Sequence, residues 1–199
     1  MSMSPIRDLT ELLSKLPGLG PRQARRVVQY LLSRDQAFRE RLAADITSLN
    51  QKAAQCPRCM RYDDPTQSGL CYTCSDTSRD ATTLLVVEHD VDIDAIEASL
   101  TYKGLYFVLG GLMNLVRERK DKVIRVAELL KRVDSHVTEV IFALSTTPEG
   151  DYTAKELSSQ LTAHSSQLRV THLGRGLSVG AELEYADPET LRSALRNRN

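Results

Sequence analysis

Apolar residues recur with two different periods along the chain, and the change of period divides it. In the first stretch, Ile6, Leu9, Leu12, Leu13 and Leu16 fall at helical spacing, which predicts a helix over 6–16. Pro17-Gly18-Leu19-Gly20-Pro21 stops it. A second helix is expected from Pro21, a residue tolerated where the first amides need no intrahelical partner, to about Ser33. Its inward positions are Ala24, Val27, Val28, Leu31 and Leu32, and a third helix is expected over 35–54. Beyond residue 80 the period shortens. The run 83–87 is apolar and β-branched, as in a buried strand, further strands are expected at 106–109, 139–144 and 168–173, and the strands alternate with helical patterns over 91–100, 121–133 and 153–164. Strands separated by single helices imply βαβ units and a mostly parallel sheet. A last helix is expected at 188–197. The expected fold is therefore an α+β chain of several parts: a helical region at 1–54, a linking segment at 55–78, an α/β block at 79–174 and a short tail at 175–199.

The linking segment carries all four cysteines of the chain, as Cys56-Pro57-Arg58-Cys59 and Cys71-Tyr72-Thr73-Cys74. Two residues between thiols let one tight turn aim both sulfurs at a point, and two such turns give a tetrahedral sulfur cage suited to Zn²⁺. With no fifth thiol and no open position, a structural ion is expected. The tip between the pairs, 63–69, is polar throughout and cannot build a core, so metal binding must provide its folding free energy. Two disulfides or a redox pair are the alternatives. The first suits a secreted chain, of which the N-terminus shows no sign, and the second needs only one pair.

Composition adds little: Lys plus Arg and Asp plus Glu both number 26. Distribution adds more. Residues 1–54 carry nine basic and five acidic side chains, whereas 80–102 carry six acidic and none basic. Residues 117–132 swing back to seven basic against three acidic. A neutral chain can thus hold a basic and an acidic face. No apolar run reaches the length of a membrane span, and a cytoplasmic location with available thiols is expected.

The basic face has a focus. Gly18 and Gly20 between two helices let backbone approach a phosphate, and the amides opening the second helix point toward an anion. Arg22, Arg25 and Arg26 follow at once. Together these predict a helix–hairpin–helix that grips the DNA backbone without reading bases. A plain helical hairpin with solvated arginines is the alternative. The acidic face has a focus too. Glu88 lies just past the first strand with Asp92 one turn on, and Glu149 and Asp151 lie just past the third strand. The carboxyl ends of parallel strands line a common crevice, so these acids are expected near one another. They could hold Mg²⁺, dock a basic protein, or form a solvated acidic rim.

A Glu after one strand and an acid-x-acid pair after another resembles the layout of a Toprim domain, with Glu-x-Asp where Asp-x-Asp is usual. The whole order of parts resembles the bacterial recombination mediator family RecR. The matching stretches are LSKLPGLGPRQARR (13–26), the two CxxC pairs, SDTSRD (75–80), VVEHDVDIDAIE (86–97), YKGLYFVLGG (102–111), PEGDYTA (148–154) and RGLSVGAELEYADPETL (175–191). The resemblance implies zinc on Cys56, Cys59, Cys71 and Cys74. It implies DNA contacts from Arg22 and Arg26, with Arg25 an additional cation. It also implies that Glu88, Asp92, Glu149 and Asp151 engage the partner RecO and do not catalyse, with RecF a further candidate partner. Family members form dimers or ring-shaped tetramers, and the 175–191 stretch resembles their Walker-B-like assembly segment. The expected function is a DNA-binding mediator that promotes RecA loading on gapped or single-stranded DNA. A Mg²⁺-dependent nuclease and a zinc-stabilised scaffold are the rivals. The chain departs from the family pattern at Phe107, at Ser145-Thr146-Thr147, at Ser178 and in the charged segment 112–120.

Overall fold

In a computed structural model that describes residues 4–115, 124–165 and 167–198, the four expected strands pair into one sheet. Its strands are β3 (Asp80–Val87), β4 (Gly104–Val108), β5 (Glu139–Ala143) and β6 (Arg169–His172), in the order β4-β3-β5-β6 and parallel throughout. Two earlier two-residue strands, β1 (Ala54–Gln55) and β2 (Tyr62–Asp63), form a separate antiparallel pair in the cysteine segment. The chain divides into two compact units, Met1–Lys52 and Ala53–Asn199.

Alternation along β3 builds the second unit's core. Leu84 and Val86 face one side of the sheet, Leu85 and Val87 the other. The first pair joins Phe107, Leu129, Val140, Phe142, Leu157 and Leu161 under α6 (Val126–Arg132) and α7 (Pro148–His164). The second joins Ile93, Tyr106 and Val108 under α5 (Asp90–Ala98). Each large apolar side chain so buried contributes about 1.5–3 kcal/mol. Strands buried on both faces explain why β3 and β4 read as continuous apolar runs. A shift of register between Asp80 and Leu84 lets β3 begin three residues before the expected strand.

In the first unit all three expected helices form, as α1 (Pro5–Leu13), α2 (Pro21–Ser33) and α3 (Gln36–Lys52), with α1 ending three residues before the expected boundary and α3 two. Of the positions expected inward on α2, Ala24 and Val28 are buried while Leu32 is exposed. Pro5, Ile6, Leu9, Leu13, Leu31 and Leu42 help line an open apolar groove of about 360 Å³. After β6 the chain runs through one short turn of 3₁₀ helix at Leu183–Tyr185 into α8 (Pro188–Arg196). The helix expected at 153–164 begins at Pro148, because Thr147 caps it by accepting from the Gly150 amide (3.1 Å) and Pro148 fits its first position. Gly150 is required there, since an added Cβ would lie 1.8 Å from the Ser145 carbonyl oxygen. The expected helix at 121–133 is seen from Val126; residues 116–123, including most of the charged departure, lie outside the described residues.

One polar network fastens α5 to the sheet. The Arg79 guanidinium donates to both Glu97 oxygens (2.9 and 2.5 Å) and to the Gly104 carbonyl (3.1 Å), and Tyr106 Oη donates to Glu97 (2.5 Å). The Arg79 hydrogen bonds hold the Glu97 carboxyl below its usual range. A depressed carboxylate pKa adds stability above the unfolded value and loses it as pH falls through the folded one. Glu97→Gln is therefore expected to cost about 1–3 kcal/mol in urea unfolding at neutral pH. That difference should begin to shrink below about pH 4.3, the unfolded carboxyl's value, and disappear once pH has fallen through the depressed folded value, where the wild type loses the pair as well. An equal cost at both pH values would count against the ion pair as its source.

Candidate functional site

Three constellations carry chemistry. The first is the hairpin of the N-terminal unit. Gly18 takes φ +78°, a left-handed conformation that glycine adopts freely, and the Leu19 amide donates to the Leu16 carbonyl (3.1 Å) to close the turn. Gly20 is the N-cap of α2 and has no side chain to satisfy the first amides, so these are available to a ligand. Arg22, Arg25 and Arg26 stand at i, i+3 and i+4, on one face, opposite the buried Ala24 and Val28. All three are exposed, and no side-chain hydrogen bond or ion pair holds them among the described residues. Free donors, free guanidinium groups and a glycine turn are groups that can meet phosphate oxygens.

The second constellation is the cysteine cage. Cys56, Cys59, Cys71 and Cys74 are all buried and unbridged, and their sulfurs lie within 4.8 Å of one another. Cys59 and Cys71 Sγ are 3.5 Å apart, against roughly 3.8 Å between ligands of a tetrahedral ion with 2.3 Å metal–sulfur bonds. Each pair sits on a knuckle of its own. Met60 N–H donates to Cys56 O (2.9 Å) and Cys56 N–H to Arg61 O (2.7 Å), a turn that places Met60 at φ +63°. On the other side Cys71 caps α4 (Tyr72–Ser75) and its sulfur accepts from the Cys74 amide (3.4 Å). The hydrogen bond with Cys59, and then that with Cys74, hold the Cys71 thiol well below its usual value, while the bond to Cys71 pushes the Cys59 thiol up. Protons shared among four packed sulfurs are what a dication would replace.

The third is the acidic crevice at the carboxyl ends of β3 and β5. Glu88 accepts from Ser145 Oγ (2.6 Å) and has His89 Nε2 at 3.7 Å. Asp92 accepts from the His89 amide (2.7 Å) as part of a capping box for α5. Glu149 and Asp151 lie in the first turn of α7 and not in a loop. Residues two apart on a helix point away from each other. Asp151 turns to Arg175, whose guanidinium donates to both its oxygens and holds its carboxyl below the usual range. Among the described residues, only the four cysteines form a group of three or more close metal ligands. The acids share an edge of the sheet without sharing a point. Nothing in the local spacing of Arg175 or Ser145 marks either as a partner of these acids.

The comparisons with known proteins match these parts in order. A family model described as "RecR, helix-hairpin-helix" matches residues 6–49, "Toprim domain" matches 82–174, and "RecR, C-terminal" matches 176–199. A curated protein named "Recombination protein RecR", from Frankia casuarinae, is 38% identical over 194 residues, covering 97% of this chain and 95% of its own length. The chain belongs to the RecR family. The RecR resemblance drawn from seven collinear stretches is thereby confirmed, as is the combination of helical hairpin, four-cysteine cluster and parallel Toprim sheet. No helix among the described residues is long and apolar enough to cross a membrane.

The cage makes a direct prediction. Cys59→Ser removes one of four donors and leaves a polar tip with no core beneath it. Metal analysis of the purified variant should show the ion lost, and denaturant unfolding should show destabilisation on the order of several kcal/mol. A variant as stable as wild type would refute a structural ion.

Proposed function

We propose that this RecR-family protein is a non-catalytic DNA-binding mediator of recombinational repair. It acts with RecO, and with RecF as a further candidate partner, to promote RecA loading on gapped or single-stranded DNA. The observation that carries the reading is the hairpin face, where three arginines that pair with nothing among the described residues and uncapped amides stand beside a glycine turn. These groups match phosphate oxygens, and amides at a helix start grip backbone, which favours sequence-independent binding. Zn²⁺ on the four cysteines holds the adjoining module. The acidic crevice docks a basic surface of RecO through Glu88, Asp92, Glu149 and Asp151. The divergence of these carboxylates favours docking over the Mg²⁺ nuclease alternative, which needs ligands converging on one ion.

One hairpin with three cations binds weakly. The open apolar groove along α1, α2 and α3 favours a homo-oligomer, dimer or ring, that covers it and lines up several hairpins. The protein acts in the bacterial cytoplasm.

Replacing Arg22 and Arg26 together by Ala should weaken binding of all DNA sequences alike. It should also lower the slope of log affinity against log salt by about 2, one phosphate per arginine. Unchanged affinity at low salt would show the hairpin to be a structural turn only. In the same assay the Glu88→Ala/Glu149→Ala variant should bind DNA normally and lose the RecO-dependent complex. Mg²⁺-dependent cleavage abolished by Glu88→Ala would instead establish the nuclease.

A further inference from the structure

The cysteine module is built into the Toprim sheet at two places, and both lead to the acidic helix. The Cys59 carbonyl accepts from the Val108 amide (2.8 Å), so the first knuckle pairs with the outer edge of β4, the edge strand. Met60, the next residue, packs against the apolar clusters of both sheet faces, wrapping that edge. Arg61 then reaches α5: its Nη2 donates to Asp94 Oδ1 (2.7 Å), and its Nε lies 3.9 Å from Asp63. The Tyr62 amide donates to Asp90 Oδ1 (3.1 Å). The Arg61 side chain is only 18% exposed, although its partner Asp94 is largely in solvent. A shielded guanidinium held between the knuckle and a helix acts as a brace, not as a loose surface pair.

Asp90 and Asp94 flank Asp92 on α5, and the helix begins two residues after Glu88. Whatever fixes the first turn of α5 fixes the spacing of the acidic face. We propose that the ion in the four-cysteine cage, acting through the Cys59–Met60 knuckle and Arg61, sets the position of α5 and so governs binding of a cationic protein partner at the acidic face. Arg61 is then a positioning residue: it touches no partner itself. The inference rests on the docking role given to the acidic crevice above.

Two views of Arg61 predict opposite results. If it were only a nearby cation, Arg61→Ala would leave the face more negative and strengthen binding of a basic partner. As a brace, its removal frees α5, disperses the carboxylates and weakens binding despite the added negative charge. The experiment takes the full-length protein with its metal, confirms metal content and cooperative unfolding for Arg61→Ala, and measures RecO binding together with amide hydrogen exchange. The expected result is RecO binding weakened by roughly tenfold or more, with faster exchange confined to residues 90–98 and 104–108. Arg61→Lys, which can keep one contact to Asp94, should restore part of both. DNA binding through the hairpin should not change. Stripping the metal from wild type should accelerate exchange in the same two segments. If Arg61→Ala binds RecO as tightly as wild type or more so, while Glu88→Ala/Glu149→Ala still abolishes the complex, the brace is overturned and the docking reading survives. If the acidic variant also binds RecO normally, the docking reading fails and the inference falls with it.

Discussion

A parallel sheet that ends on a strand apolar on both faces must have its edge covered, and β4 is such a strand: all five of its residues are buried. An open edge of this kind exposes backbone donors and acceptors together with apolar side chains, and it invites pairing with other chains. Here the cover is a segment with no core of its own. Knuckle backbone pairs with Val108, Met60 plugs the margin of both clusters, and Arg79 and Arg61 tie the segment's two ends to α5. The order required of that cover is what four convergent thiols and an ion can impose on a polar loop. The sheet, the helix that packs on it and the acidic crevice at its carboxyl end therefore lean on a tetrahedral sulfur cage.

The crevice shows how secondary structure decides what charges can do together. Carboxylates near helix N-termini are stabilised by the amides there, and the first turns of α5 and α7 both carry acids. Asp92 is used as a cap, which fixes its direction along its own helix. Glu149 and Asp151 are separated by helical geometry that turns them apart. A loop at 148–151 could have folded both toward Glu88. The capped helix cannot, because Gly150 lies against the Ser145 carbonyl and locks the turn. The consequence is an extended acidic surface in place of a focused cation site.

Much of this was legible in the sequence, for reasons specific to each part. The CxxC spacing dictates sulfur convergence wherever the knuckles form, so the cage could be read without coordinates. The hairpin was equally legible, since Gly-x-Gly-Pro allows few backbone paths and Arg22, Arg25 and Arg26 share a face once α2 exists. The second half of β3 and the whole of β4 are legible as apolar runs because they are buried on both sides, whereas β5 alternates and β6 has no buried residue. The start of α7 was missed because Gly150 reads as a loop residue, though Thr147-Pro148 is a start signal in its own right. Arg61, Arg79, Ser145 and Arg175 were not legible as site residues. Their partners lie 18 to 57 positions away in the chain and come close only through folding. Periodicity reports which face a residue is on and says nothing about which distant charge it meets.

The two charged surfaces also differ in how they can bind. The hairpin arginines are solvated and uncommitted, so contact with phosphates trades water and counterions for oxygen ligands, with little internal rearrangement. The acids are committed: Glu88 to Ser145, Asp92 to the α5 cap, Asp151 to Arg175, and Asp94 to Arg61. A basic partner arriving at the crevice must share or replace these bonds, and the exchange returns only the difference between two sets of ion pairs. Such an interface gains little net affinity from charge and much discrimination, since only a cation placed to match the existing geometry recovers what it displaces. A surface that accepts any phosphate and a surface that selects one cationic partner would therefore call for opposite treatment of charge. The hairpin leaves its arginines uncommitted among the described residues, while Glu88, Asp92 and Asp151 at the crevice are bonded in advance.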